Sequence, residues 1–313
     1  MFRFNARTCL AALCIGLCSI PALAEFKKNN PSPASVAKIL SLAEKGDLDA
    51  ENLLGSLLSW GDGVPQNQHE AIYWWKKAAE GGQHMAELQL SGLYLFGVGV
   101  GKDETEGMKL LRRSAEGGIN RAQWTLGKYY AHGEHVPKDM KEAVKWWRKA
   151  ANQEFAKGEG DLGILYMTGE EVGRDYPQAL ELLQRSAGKG YAPAQAALGT
   201  MHHDGLGCPV NKDKALMWWR RAAEQQDTKG IMALANAYAL GDGTPVNRIQ
   251  AFMWFDIAGI TVKEAREKRD TIALFMTHDE IEKAVSLAHD WKLKRIEELK
   301  RYLAEPESLH VPY

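Results

Sequence analysis

The sequence predicts an all-α solenoid of stacked helix pairs, on three observations. A segment of 36 residues recurs six times without a gap, each copy carries apolar residues at helical spacing, and a glycine-rich turn separates its two halves. A helix pair this small cannot bury its apolar face alone, so neighbouring copies must stack into a continuous core. The composition agrees: 313 residues with 45% hydrophobic, 25% charged and 9% aromatic side chains argue against disorder, collagen and a polytopic membrane protein.

In chain order the N-terminus comes first. Arg3 and Arg7 precede an uncharged stretch, residues 8–24, that ends in Ala22-Leu23-Ala24. The pattern predicts an export signal, residues 1–24, cleaved after Ala24, because the apolar run is shorter than the ~20 residues a spanning helix needs. A periplasmic or secreted protein follows, with no membrane insertion after signal cleavage. Removing the signal also removes Cys9, Cys14 and Cys18 and leaves 37 basic against 40 acidic residues. Cys208 then remains alone, so no intramolecular disulfide can form and packing must hold the core. Near-zero net charge gives no electrostatic footprint for nucleic acid.

Residues 25–46 read as a linker and a single half-repeat helix, and residues 47–261 hold the six full copies. In the first helix of each copy, Leu54-Gly55 recurs as Leu90-Ser91, Leu126-Gly127, Leu162-Gly163, Leu198-Gly199 and Leu234-Ala235. In the second helix Ala71, Trp74, Trp75 and Ala78 mark one face. Between them Gly61-Asp62-Gly63-Val64-Pro65 supplies glycines able to take the positive φ that ends a helix. Asn67, Asp103, Asp139, Asp175, Asn211 and Asn247 share the position ahead of the second helix and are expected to cap it, each contributing about 1 kcal/mol.

A longer alternation overlies the repeat. Trp74-Trp75, Trp146-Trp147 and Trp218-Trp219 alternate with Leu110-Leu111 and Leu182-Leu183, which gives a period of 72 among residues read as core. Two joints are irregular: Glu154 and Gln226 stand where other copies end the second helix with Gly82, Gly118 or Gly190, and Gly158 and Gly230 replace alanine in the helix that follows. Glycine weakens a helix by up to about 1 kcal/mol, so both joints are expected to be soft, with faster amide exchange across residues 152–160 and 224–232. Residues 262–304 lose the repeat and predict a helical cap with a polar outer face, its last helix opened by the capping box Thr277-His278-Asp279-Glu280. Glu305-Pro306 ends that helix and leaves 305–313 as a loose tail.

The pattern Leu-Gly-x-x-Tyr-x-x-Gly-x-Gly-Val-Pro-x-Asp, followed by Ala-x-x-Trp-x-x-Lys-Ala-Ala, resembles the Sel1-like repeat, a relative of the tetratricopeptide repeat, over residues 35 to about 259. The resemblance implies a right-handed α-solenoid that recognises other proteins, and it implies no reaction. The last segment, including Trp291-Lys292, resembles the C-terminal extension of bacterial Sel1-repeat proteins. Carried over from the tetratricopeptide pattern, the concave groove is lined by Asp49, Asn52, Ser56, Ser59 and Trp60 in the first copy. Met85, Leu88, Gly92, Leu95 and Phe96 follow in the second, and Arg121, Trp124, Lys128, Ala131 and His132 in the third, with His203 among the later positions. Trp60, Phe96 and Trp124 lie outside the repeat's core pattern and are expected as apolar anchors, beside Leu88. Arg121, Lys128 and His132 share a helix with Trp124 and suit a carboxylate or acidic side chain.

Candidate chemistry is thin. His132 with His135, and His202 and His203 with Cys208, lack the doubled spacing of a zinc site. His202 occupies the core tyrosine position, and Cys208 stands where other copies carry valine, with no histidine obviously paired to it. Gly-x-Ser-x-Gly, P-loop and dinucleotide patterns are missing. The expected function is therefore a non-catalytic interaction scaffold of the cell envelope that binds another protein or an extended peptide, with no cofactor and no metal. One alternative is a structural adaptor in a secretion or polysaccharide-export assembly. The other is a hydrolase of cell-wall or β-lactam substrates, which the lack of the cysteine pair found in each repeat of cysteine-rich relatives weakens.

Overall fold

The computed structural model describes residues 32–304, so the expected export signal and the tail 305–313 lie outside the described residues. Those residues form fifteen α-helices and no strand, in two compact units divided along the chain between Trp146 and Trp147. The N-terminal unit holds α1 (Pro33–Glu44), α2 (Leu48–Trp60), α3 (Gln68–Glu80), α4 (His84–Phe96), α5 (Glu104–Glu116), α6 (Asn120–His132) and the first half of α7 (Met140–Asn152). The C-terminal unit holds the rest of α7, then α8 (Ala156–Thr168), α9 (Tyr176–Gly188), α10 (Ala192–Asp204), α11 (Lys212–Glu224), α12 (Thr228–Leu240), α13 (Arg248–Ala258), α14 (Lys263–Ala273) and α15 (His278–Ala304). The half-repeat helix is α1, the six helix pairs run from α2 to α13, and α14 with α15 form the cap.

Local chemistry sets these boundaries. All six expected N-caps accept a hydrogen bond from the backbone N–H three residues on, for example Asp103 from Glu106 at 3.0 Å and Asn211 from Lys214 at 2.9 Å. Each first helix ends on a left-handed glycine: Gly61, Gly97, Gly133, Gly169, Gly205 or Gly241. The capping box of α15 is reciprocal, since Glu280 N–H donates to Thr277 Oγ1 and Thr277 N–H donates to Glu280 Oε2.

Packing explains the glycines that face the second helix. A Cβ at Gly55 would sit 2.7 Å from Cδ1 and Nε1 of Trp75, so α2 and α3 close only because that residue has no side chain. Gly199 faces the buried Trp219 in the same way. The close fit is not confined to tryptophan, since a Cβ at Gly163 would fall 2.9 Å from Leu183 Cγ, whereas Ser91 opposite Leu111 and Ala235 opposite Phe255 carry one. Trp75 and Trp219 are thus each fitted against a glycine twenty residues earlier.

A second internal feature went unread in the sequence. Glu51, Glu87 and Glu159 are buried at one repeat position, and each meets a cation 26 residues on: Lys77 at 2.7 Å, Arg113 at 2.5 Å and Arg185 at 2.5 Å. Lys77 also donates to the carbonyl of Ala43 in the preceding helix pair, and Arg113 to that of Ala79, so one cation ties three helices together. Gln123 and Gln195 replace the glutamate in two copies and donate instead to Ala115 and Ala187 carbonyls.

The irregular joints have a steric cause. Glu154 and Gln226 take the same left-handed backbone as the glycines they replace, at φ 58° and 65°. Gly158 and Gly230 are required by close approach, because a Cβ at either would fall 2.7 Å from the Cβ of Ala150 or 2.5 Å from that of Ala222. These glycines therefore also allow tight packing.

Asp256 of α13 is gripped by Arg269 of α14 at 2.8 Å and Lys292 of α15 at 2.7 Å, and Trp291 meets Trp254 edge to face at 5.8 Å. The two cations hold the Asp256 carboxyl below its ordinary range against the opposing effect of burial. The expected polar outer face is only partly realised: Leu274 is 81% and Phe275 68% exposed in the turn that joins the cap helices. No helix of the described residues is long and apolar enough to cross a membrane.

Candidate functional site

The N-terminal unit carries a row of rings at one repeat position. Trp60, Phe96 and His132 are the last residues of α2, α4 and α6, each followed by the left-handed glycine that stops its helix. Trp60 is 42% and Phe96 43% exposed, and His132 is exposed as well. The equivalent residues of the C-terminal unit are Thr168, Asp204 and Leu240, so the ring row is confined to the first three copies.

Its surroundings hold the row in place. The side chains of Gln66, Lys102 and Lys138 lie against Gly61, Gly97 and Gly133, which puts a lysine beside Phe96 and another beside His132. Phe96 meets the ring of His135 edge-on at 6.2 Å, and His135 in turn contacts Tyr129 at 4.9 Å and Glu104 at 3.4 Å. Lys102 first, then His135, keep the Glu104 carboxyl below its ordinary range. His135 is thus a brace for Phe96 rather than a partner of His132 in a metal site.

Other expected groove residues divide into three groups. Arg121, Trp124 and Lys128 are half-buried on α6, at spacings that place them on the same side as His132. Leu88 packs against the core cluster of Leu95, Leu111 and Leu126, so it belongs to the wall under the surface rather than to an open anchor. Asn52, Ser56, Ser59, Leu95 and Ala131 are buried, which removes them from any accessible groove. Asn52 lies beneath the indole of Trp75, whose Nε1 donates to its carbonyl at 3.2 Å.

His203 lies in the C-terminal unit and is structurally engaged. It bonds Asp242 at 2.6 Å and Asp204 at 2.5 Å, leans on Trp219 at 5.2 Å, and Lys212 completes the cluster on Asp242 at 2.6 Å. Asp242, then Asp204, hold its imidazole protonated above the ordinary range. Lys212 and His203 push the Asp242 carboxyl down.

Cys208 does have a histidine partner, contrary to expectation: its Sγ is 3.4 Å from His202 Nδ1. Burial raises the thiol and lowers the imidazole, so both groups favour their neutral forms and the pair is not a poised thiolate. In three other copies a tyrosine hydroxyl takes an arginine donor 18 residues earlier, as Tyr166 does from Arg148 and Tyr238 from Arg220, whereas this copy carries Gln184 and His202. Among the described residues no group of three or more His, Cys, Asp or Glu is placed to hold a metal ion.

The site can therefore offer flat apolar and aromatic surface at Trp60 and Phe96, and cations at Lys128 and Lys138 toward its third copy. The Sel1 repeat model matches residues 48–83, 84–119, 120–155, 156–191, 192–227 and 228–259. A Sel1 repeat protein from Oxalobacter formigenes is 29% identical with a TM-score of 0.61, over 72% of this chain and 100% of that one. A protective antigen present in uropathogenic Escherichia coli strains, displaying an SLR fold, is 27% identical with a TM-score of 0.58, over 89% of this chain and 68% of the other. No curated protein matches the chain.

Proposed function

Because the chain belongs to the Sel1 repeat family, whose repeats generally serve protein–protein interaction, we propose that it is a non-catalytic binding protein. Its N-terminal unit would hold a partner segment along the first helices of the repeats, the side the family resemblance makes concave. The observation that carries this reading is the exposed row of Trp60, Phe96 and His132, since large rings left in water at one repeat position are costly unless something covers them. Arg121, Trp124 and Lys128 extend the surface along α6 and suit an acidic group on the partner. The charge and small-residue pattern of residues 1–24 supports an exported protein, periplasmic or secreted, that acts in the cell envelope.

A second reading, a structural adaptor in an envelope assembly, draws on the exposed Leu274 and Phe275 of the cap. Cross-linking with mass spectrometry, on the wild type and on a folded Trp60→Ala/Phe96→Ala/Trp124→Ala variant in cells, separates the two. Truncating one true anchor weakens binding by about 2 kcal/mol or more, so the triple variant is expected to lose a discrete partner. If the same partners cross-link to both, and a Leu274→Ser/Phe275→Ser variant loses them, the cap is the working surface.

A further inference from the structure

We infer that His203 is a proton-operated latch between the fifth and sixth copies: as a cation it bridges a carboxylate of each, and on losing its proton it releases the one in the sixth. Every residue of the latch belongs to the C-terminal unit, so it is independent of the ring row. Asp204 is the last residue of α10, and Asp242 follows the glycine that stops α12. His203 Nδ1 lies 2.5 Å from Asp204 Oδ1, and its Nε2 lies 2.6 Å from Asp242 Oδ2. A neutral imidazole has one N–H and one lone pair, so it donates to only one of the two carboxylates; the imidazolium donates to both. The ring also leans on Trp219 of α11 at 5.2 Å. Other copies carry Ser59, Leu95, Ala131, Met167 or Ala239 at this position, so the repeat stacks without such a link and the fifth copy adds it.

Lys212 determines which bond is lost. From the start of α11 it reaches Asp242 Oδ1 at 2.6 Å, so Asp242 keeps a cation when His203 becomes neutral. Among the described residues Asp204 has no ion-pair partner besides His203. The one remaining N–H stabilises most the carboxylate that has nothing else, and it stays at Nδ1 on Asp204. The Nε2 lone pair then faces Asp242 Oδ2 with no proton between two acceptors, and the contact between copies opens. Asp242 first, then Asp204, favour the charged imidazole, so the latch is closed below about pH 6.5 and opens as pH rises through the raised value. What it frees is the turn between α12 and α13, which is flanked by the exposed Leu240 and Val246.

The test follows the full chain through the titration of His203. Nitrogen NMR of the labelled imidazole reads its tautomer, and amide exchange corrected for the intrinsic effect of pH reads the turn, residues 241–247. The expected neutral form carries its proton on Nδ1, and protection of the turn falls about tenfold as it forms. Asp204→Asn leaves Asp242 as the sole carboxylate, so the neutral ring should switch to the Nε2–H tautomer and the turn should stay protected. His203→Gln should give a turn whose corrected exchange no longer depends on pH. A neutral wild-type ring protonated on Nε2, a turn equally protected on both sides of the titration, or an Asp204→Asn variant that loosens as the wild type does each overturns the latch. The tautomer is read on the unmodified chain, so that result stands even where a variant fails to fold.

Discussion

Gly55→Ala tests the glycine-tryptophan interlock most directly. The added methyl carbon would lie 2.7 Å from Trp75 Cδ1 and Nε1 and 3.0 Å from Cγ, against the 3.5–4.0 Å of ordinary carbon contacts. The indole is rigid and buried, and its Nε1 is tied to the Asn52 carbonyl at 3.2 Å, so relief means moving the whole ring and stretching that bond. Overpacking of this kind costs about 1–3 kcal/mol and loss of the hydrogen bond about 1 kcal/mol. Alanine's helix preference over glycine returns about 1 kcal/mol. The balance is a loss of about 2 kcal/mol, measurable as a lower urea midpoint by far-UV circular dichroism. The second copy supplies the control, because Ser91 and Leu111 sit at the matching positions with a Cβ in place. In a Trp75→Leu background Gly55→Ala should therefore cost less, because leucine's flexible end can give way where the tied indole cannot, a coupling of about 1–3 kcal/mol. A Gly55→Ala variant as stable as the wild type, or the same loss with and without Trp75, would refute the interlock.

Three further outcomes are expected. Glu159→Leu should destabilise strongly by leaving Arg185 and Lys189 without their buried acceptor, whereas Glu159→Gln should cost less because Gln123 and Gln195 already fill that position; equal losses by urea denaturation would count against the ion-pair reading. Glu154→Gly and Gln226→Gly relieve left-handed residues and should each raise stability by about 0.5–1 kcal/mol and slow amide exchange at residues 152–160 and 224–232, the joints expected to exchange fastest in the wild type; unchanged exchange would remove strain as their cause. His203 has a folded pKa above its ordinary 6.5, so the stability it adds is full below about pH 6.5 and is lost as pH rises through the raised value; His203→Gln should flatten the fall in urea midpoint as pH rises above about 6.5, and parallel pH profiles would sink the assignment.

The fold was legible because every signal repeated. One asparagine at position 67 is a weak cap signal, but six Asn or Asp residues 36 apart, each ahead of an apolar helix, describe a rule. The alternation of tryptophan and leucine was visible too, but the close fit of Trp75 against Gly55, twenty positions earlier on another helix, was not. The buried Glu51, Glu87 and Glu159 could have been found by the same arithmetic, as acids followed by a cation at a constant 26 residues. They were missed because an acid on a helix reads as surface until its burial is known.

The site was less legible for a related reason. Carrying groove positions over from the tetratricopeptide pattern treats the inner side of each first helix as open to solvent. In the N-terminal unit that side is largely closed: Asn52 lies under Trp75, Ser59 bonds Gln68 at 3.1 Å, and Leu95 joins the core. A first helix that carries glycine against a tryptophan draws its partner helix close, and residues that a looser pair would show to water become buried. What stays exposed is the last position before each terminating glycine, where the helix has already left the packed layer. Trp60, Phe96 and His132 occupy that position, and their exposure therefore follows from the geometry of the turn as much as from the identity of the side chains. A helix end must be exposed, but it need not carry a ring, and Thr168 and Asp204 show polar residues at the same place. The choice of three rings in succession is what the turn geometry leaves unexplained, and the proposed binding of a partner across them would supply the missing reason.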